Sequence, residues 1–188
     1  MKQHQEIIEN LSPLLRSVSE IQNADAAVAL LLKPASEGFK TLFVRRVENP
    51  LDPWSGQIAF PGGKRSLTDQ NIKQTVIRET LEETNINLVH GCRFLGMLDT
   101  MKSTLRPELL VAPFIILLER EPSIILNNEL KGYSWVSIKR LQKCKGTAKF
   151  PFGEVNAYLF DGKVIWGLTY RICEKFLPIL EHAFSQRS

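Results

Sequence analysis

Glu79, Glu82 and Glu83 are the residues of this chain whose type and spacing most directly imply chemistry. They lie in the run Arg78-Glu79-Thr80-Leu81-Glu82-Glu83. On a helix, residues three and four apart share a face, so the three carboxylates crowd together and repel. A bound cation turns that repulsion into a ligand set. Oxygen donors with no histidine or cysteine beside them suit magnesium or manganese and do not suit zinc. Arg78 stands four residues before Glu82 and is placed to pair with it. The plainer reading is a solvated acidic helix face carrying an ordinary ion pair. Upstream, Gly62 and Gly63 allow backbone to approach a metal or a phosphate closely, and such a pair is expected to break regular structure. A GxxxxGK[ST] phosphate loop is excluded, because Ile58 stands at its first glycine and Arg65 at its Ser/Thr.

These groups need elements to position them. The segment Ile58 to Phe60 reads as a short strand entering Pro61-Gly62-Gly63. A helix follows, with Asp69 as its expected N-cap and Asn85 as its left-handed C-cap. Ile72, Val76, Ile77, Thr80, Leu81 and Thr84 supply its expected buried side. Ala26 to Leu32 is a continuous apolar run and reads as a central strand. Lys40 to Arg46 reads as its hairpin partner, ending at Arg45 and Arg46. Residues 1–22 read as a helical extension interrupted at Pro13.

Further strands are expected at Arg93 to Thr100, Val111 to Leu118 and Tyr133 to Ser137, whereas Ser123 to Leu130 has no clear assignment. Asp161-Gly162 marks a hairpin between Val155–Phe160 and Lys163–Trp166. Residues 166–185 close the chain with an amphipathic helix containing Pro178. The basic stretch Lys139, Arg140, Lys143, Lys145 and Lys149 reads as a solvated helix face, and nucleic acid is not an expected partner.

The whole chain sets mild bounds. It has 188 residues, 44% apolar and 23% charged, as expected of one globular domain. The formal charge of +4 suits an anionic ligand without demanding one. Cys92, Cys144 and Cys173 form no CxxC pair and read as reduced, mostly buried thiols in a cytoplasmic setting. The opening MKQHQEIIENL has no apolar core of a secretory signal, and no run is long enough to span a bilayer.

Gly63, Asp69 and the segment Arg78 to Ile86 together resemble the Nudix box: a glycine, five residues, an acid, then R-E-U-x-E-E-x-G-U. Asp69 replaces the usual Glu, Thr80 the first bulky aliphatic and Asn85 the final Gly. The one-residue extension before Arg78 and the preceding Phe60-Pro61-Gly62-Gly63 resemble the coenzyme A pyrophosphatase branch. Asp52 departs from that branch's signature, which has arginine there, and Arg46 is one residue off its other arginine.

The resemblance implies an α+β fold, a Nudix-type α/β/α sandwich around a mixed sheet, with the box at residues 60–88. It implies magnesium- or manganese-assisted attack of water on a phosphoanhydride. Glu79, Glu82, Glu83 and the Gly63 carbonyl would hold the metal, and Arg78 would orient a glutamate. The proton would go to a box glutamate, Glu82 included, or to Glu129, which is alternatively a further metal ligand or a surface loop residue. Arg45 and Arg46 are candidate phosphate contacts. Tyr158 and Trp166 are candidate substrate contacts or core. The expected partner is a small nucleotide-type diphosphate, with coenzyme A or its derivatives first. Nucleoside triphosphates, NAD-like dinucleotides, nucleotide sugars, capped RNA and a non-catalytic binding module remain alternatives, and a homodimer stays open.

Overall fold

The computed structural model describes residues 2–18, 23–49, 51, 55–103 and 105–186. Asp52, and residues 19–22 of the expected N-terminal extension, lie outside that set. Alternation along β1 (Ala26–Ala35) builds the core. Successive strand side chains face opposite ways. Ala27, Ala29 and Leu31 therefore enter one apolar cluster, and Leu30 and Leu32 enter the other. This is why the run is apolar throughout.

β1 lies centrally in an eight-stranded mixed sheet. It pairs antiparallel with β2 (Gly38–Arg46), β3 (Ile58–Ala59) continues beyond β2, and β4 (Gly62–Lys64) also pairs with β1. On the other side come β5 (Cys92–Met97), β6 (Met101–Lys102) and β7 (Leu110–Leu118), with β7 parallel to β1. β8 (Leu130–Ser137) pairs antiparallel with β2.

One face of this sheet is covered by α2 (Ile72–Thr84). The other carries α1 (Lys2–Leu11), α3 (Ile138–Lys143) and α4 (Gly167–Ser185), through residues such as Leu11, Leu141 and Phe176. This is the expected mixed sheet between helical layers. A second sheet of β9 (Lys145–Phe150), β10 (Gly153–Phe160) and β11 (Lys163–Ile165) stands beside it. Asp161 and Gly162 turn β10 into β11 with φ of 48° and 69°, the paired positive values of the tight hairpin their sequence implies.

Four expectations are corrected. The glycine pair does not break regular structure; Gly62 and Gly63 form β4, opposite Val28 and Ala27. The N-cap of α2 is Asn71, whose side chain accepts from the Gln74 amide at 3.0 Å, because Asp69 is held elsewhere. Leu81 turns outward, 41% exposed, and Thr75 and Glu83 take buried positions instead. The basic stretch is divided between α3 and β9, with Arg140 paired to Asp161 and Lys145 to Glu174. Ser123 to Glu129 carries no regular structure, yet its backbone amides at Ile125 and Asn127 donate to the Thr84 and Glu83 carbonyls, closing the end of α2. Asn85 holds φ 61° with its amide on the Leu81 carbonyl, the left-handed C-cap.

Candidate functional site

Arg78 is the hub of the site. Its Nε donates to Asp69 Oδ1 at 3.0 Å and its Nη2 to Asp69 Oδ2 at 2.9 Å, a two-point clamp. Nη1 donates to Glu79 Oε1 at 2.8 Å and to Glu82 Oε2 at 3.1 Å, while Nη2 also reaches the Lys64 carbonyl at 3.0 Å. One guanidinium thus ties α2 to β4 and to the turn between them. Asp69 further accepts from the Ser66 amide and the Thr75 hydroxyl. The hydrogen bonds from Arg78 hold its carboxyl well below the usual range, against the opposing effect of burial. Asp69 is the member that the sequence reading assigned to a cap; an acid nine residues before an arginine gives no helical-face signal.

Glu83 is the buried member of the acidic set, 4% exposed. Its Oε2 accepts from the Gly62 amide at 2.9 Å, and Oε1 lies 3.9 Å from Arg46 Nη1. Burial pushes its carboxyl up to about 7, and the Gly62 amide and Arg46 oppose that shift. Burial also raises the Glu79 carboxyl, with Arg78 pulling the other way. The glycines are required by contact. A Cβ on Gly62, at φ 145°, would collide with the Ala27 carbonyl and sit 2.6 Å from Val28 Cα. A Cβ on Gly63 would collide with the Glu79 carboxylate.

A cavity of about 420 Å³ opens over these groups. Glu79, Glu82, Glu83, Glu129, Arg46 and the Gly62–Gly63 backbone line one side. Val28, Val111, Leu168 and Ile172 line another, and Trp166 stands at its wall. The structure therefore brings together the three helix glutamates, Gly63, Glu129, Arg46 and Trp166. Arg78 contacts two of those glutamates from outside the lining. Arg45 faces away, pairs with Glu48 at 3.3 Å and lines a neighbouring hollow. Tyr158 is core: it is 1% exposed and its hydroxyl donates to Glu174.

The donor set fits a hard divalent cation in kind, since four carboxylates share one cavity. In the arrangement described, Arg78 and the Gly62 amide engage these carboxylates. Among the described residues no three His, Cys, Asp or Glu side chains converge into a ready ligand group.

Residues 22–155 match the NUDIX domain family. An uncharacterized protein of Schizosaccharomyces pombe is 39% identical over 106 residues, 53% of this chain and 32% of that protein. The peroxisomal coenzyme A diphosphatase ndx-8 of Caenorhabditis elegans is 30% identical over 156 residues, 79% of this chain and 65% of its own. The chain thus spans between about a third and two thirds of these two relatives' lengths. The mitochondrial coenzyme A diphosphatase NUDT8 of Mus musculus is 27% identical over 192 residues, covering 93% of this chain and 88% of its own. Among solved structures, a Nudix hydrolase from M. smegmatis, RenU, superposes with a TM-score of 0.51 at 14% identity, covering 93% of this chain and 96% of that one. That likeness concerns the fold.

Proposed function

The chain belongs to the Nudix family, and from that premise we propose that it is a divalent-cation-dependent hydrolase cleaving the diphosphate bond of a nucleotide-type substrate. The observation that carries this reading is one cavity holding Glu79, Glu82, Glu83 and Glu129 beside the Gly62–Gly63 backbone. Coenzyme A or a derivative is the first substrate to test, because two relatives bear the name coenzyme A diphosphatase.

Magnesium or manganese, when bound, would neutralise phosphate oxygens and acidify the attacking water. Glu79, Glu82, Glu83 and the Gly63 carbonyl would hold it. Arg78 engages one oxygen each of Glu79 and Glu82, leaving the second oxygen of each as a donor, while Glu83 accepts from the Gly62 amide through one oxygen and faces Arg46 with the other. Arg78 thereby positions the ligands. Glu82 and Glu129 are exposed, so a proton accepted by either passes to solvent. Arg46, in the same cavity, would meet a phosphate oxygen. The three cysteines are free thiols, in keeping with a reducing compartment such as the cytoplasm; the names of ndx-8 and NUDT8 place those two proteins in peroxisome and mitochondrion. No described helix is long and apolar enough to cross a membrane.

The test is a panel of coenzyme A, NAD-like dinucleotides, nucleotide sugars, nucleoside triphosphates and capped RNA with magnesium or manganese, read by product chromatography. Cleavage of coenzyme A to 4′-phosphopantetheine and 3′,5′-ADP is expected. Glu83→Gln keeps an acceptor for Gly62 and should lower turnover by at least about 10²-fold with an unchanged circular dichroism spectrum. Normal turnover in both Glu82→Gln and Glu83→Gln would sink the metal assignment. The intact Glu79, Glu82 and Glu83 set argues against a non-catalytic binding module, which becomes the better reading only if nothing in the panel is cleaved.

A further inference from the structure

The 19-residue helix α4 opens its N-terminus into the carboxylate cavity. Trp166, Gly167, Leu168 and Thr169, its cap and first turn, all line that space. The first amides of a helix have no acceptor within it and carry the positive end of its dipole. The Tyr170 amide is the first in α4 to find one, on the Trp166 carbonyl. The amides of Gly167, Leu168 and Thr169 meet no acceptor among the described residues. Trp166 supplies no side-chain cap, and the first turn holds no acidic residue. Amides left open inside a cavity call for an acceptor from elsewhere.

A buried hydroxyl points the same way. Thr169 is 9% exposed, and its hydroxyl has no hydrogen-bond partner among the described residues. The unpaired hydroxyls of Thr41 and Thr80 are sealed off, whereas that of Thr169 borders the cavity. Such a group is costly to bury unless something bonds to it. Ser103, also buried, lines the same cavity. Its Oγ accepts from the Arg106 amide at 3.3 Å and gives its own proton to no described group. Arg171 Nη1 donates to the Lys102 carbonyl at 3.0 Å, which ties β6, and Ser103 after it, to the start of α4.

We infer that the first turn of α4 is a phosphate subsite, in which the Gly167, Leu168 and Thr169 amides and the Thr169 hydroxyl hold one phosphate of a diphosphate while the glutamates hold the metal for the other. The inference rests on the hydrolase reading above and specifies how its site divides the substrate. A carboxylate repels a phosphate unless a cation stands between them, but open amides at a helix start attract it directly. Arg46 belongs to the metal side, within reach of Glu83. The donors of α4 serve the second phosphate without competing for those carboxylates.

The experiment is calorimetric titration of the full chain with methylenebisphosphonate, a diphosphate whose bridge resists hydrolysis, in excess magnesium. Saturable binding at millimolar concentration is expected. Thr169→Val, similar in shape without the hydroxyl, should weaken it about tenfold, the order of one hydrogen bond to a charged group. Thr169→Ser should restore it. Thr169→Asp gives the helix the acidic first-turn residue that its dipole favours, so the melting temperature should hold while the bisphosphonate is repelled. A threonine with a merely structural role predicts normal binding there. Magnesium affinity without the bisphosphonate should be equal in all four proteins. The subsite is overturned if wild type does not bind, if Thr169→Val or Thr169→Asp binds like wild type, if Thr169→Ser is as weak as Thr169→Val, or if magnesium affinity falls with the bisphosphonate's. The two readings fail separately. Cleavage of a panel member with KM unchanged in Thr169→Val overturns the subsite alone. Thr169-dependent binding without cleavage of any panel member overturns the hydrolase reading and leaves the subsite standing.

Discussion

Asp69 and Arg78 form the ion pair on which the acidic face depends, and its strength is testable by pH. The folded state depresses the Asp69 carboxyl, chiefly through the Arg78 hydrogen bonds. A depressed carboxyl contributes stability that is complete above its unfolded value, near 3.8, and is lost as pH falls toward the lower folded value. Asp69→Asn should therefore lower the unfolding free energy at pH 7 by on the order of 2 kcal/mol, the scale of hydrogen bonds to a charged group, and with it the midpoint of thermal unfolding. The difference from wild type should shrink steadily as pH falls below 4; a constant difference would show that the charge is not involved. Sequence spacing made the glutamate face legible, because positions three and four apart on a helix must be neighbours. The Asp69 contact was not legible. It closes across the turn before the helix, and both Asp69 and Asn71 are residue types that cap helices well, so type alone favoured the wrong one. Tyr158 misled for a similar reason: an aromatic in a strand serves a pocket or a core equally, and only its burial in the folded chain assigns it to the core.

At the scale of elements, β4 and α2 work as a matched pair. Gly62 meets backbone atoms of β1, which cannot yield, whereas Gly63 meets the end of the Glu79 side chain, which can. Gly62→Ala should accordingly cost several kcal/mol or prevent folding, as overpacking combined with a positive φ requires. Gly63→Ala should fold with a smaller loss but displace Glu79, weakening magnesium affinity more than it lowers the melting temperature. Differential scanning fluorimetry and metal titration separate the two, and equal stability losses with unchanged metal affinity would refute the distinction. A glycine pair reads as a break in structure because glycine disfavours strands. Here the lack of a side chain is what lets a three-residue strand lie against β1 and under the helix. β9 was missed for a different reason. Its pattern alternates exposed Lys145, Thr147 and Lys149 with half-buried Gly146 and Ala148, a two-residue period without any large apolar residue before Phe150.

Across the whole molecule, the two apolar clusters on opposite faces of the sheet set how each part responds to challenge. Cys173 lies in α4 within the larger cluster, and burial pushes its thiol well above the ordinary value. Cys92 and Cys144 are only partly covered. A thiol reagent should therefore modify two cysteines in the native protein and the third only as fast as the molecule unfolds. Equal rates for all three would show that α4 opens locally. The sheet's central strand was readable from its unbroken apolar run, but the strand order was not, since the parallel pairing of β1 with β7 joins segments far apart in the chain. One further consequence concerns how such a chain tolerates drift in length. The Gly62 amide is fixed to Glu83, and the Lys64 carbonyl to Arg78, so the loop and the helix are fastened together at both ends of the intervening turn. Within that turn Arg78 also holds Asp69, so an insertion or deletion between Asp69 and the helix would strain the clamp, whereas the Gly62 and Lys64 ties would persist.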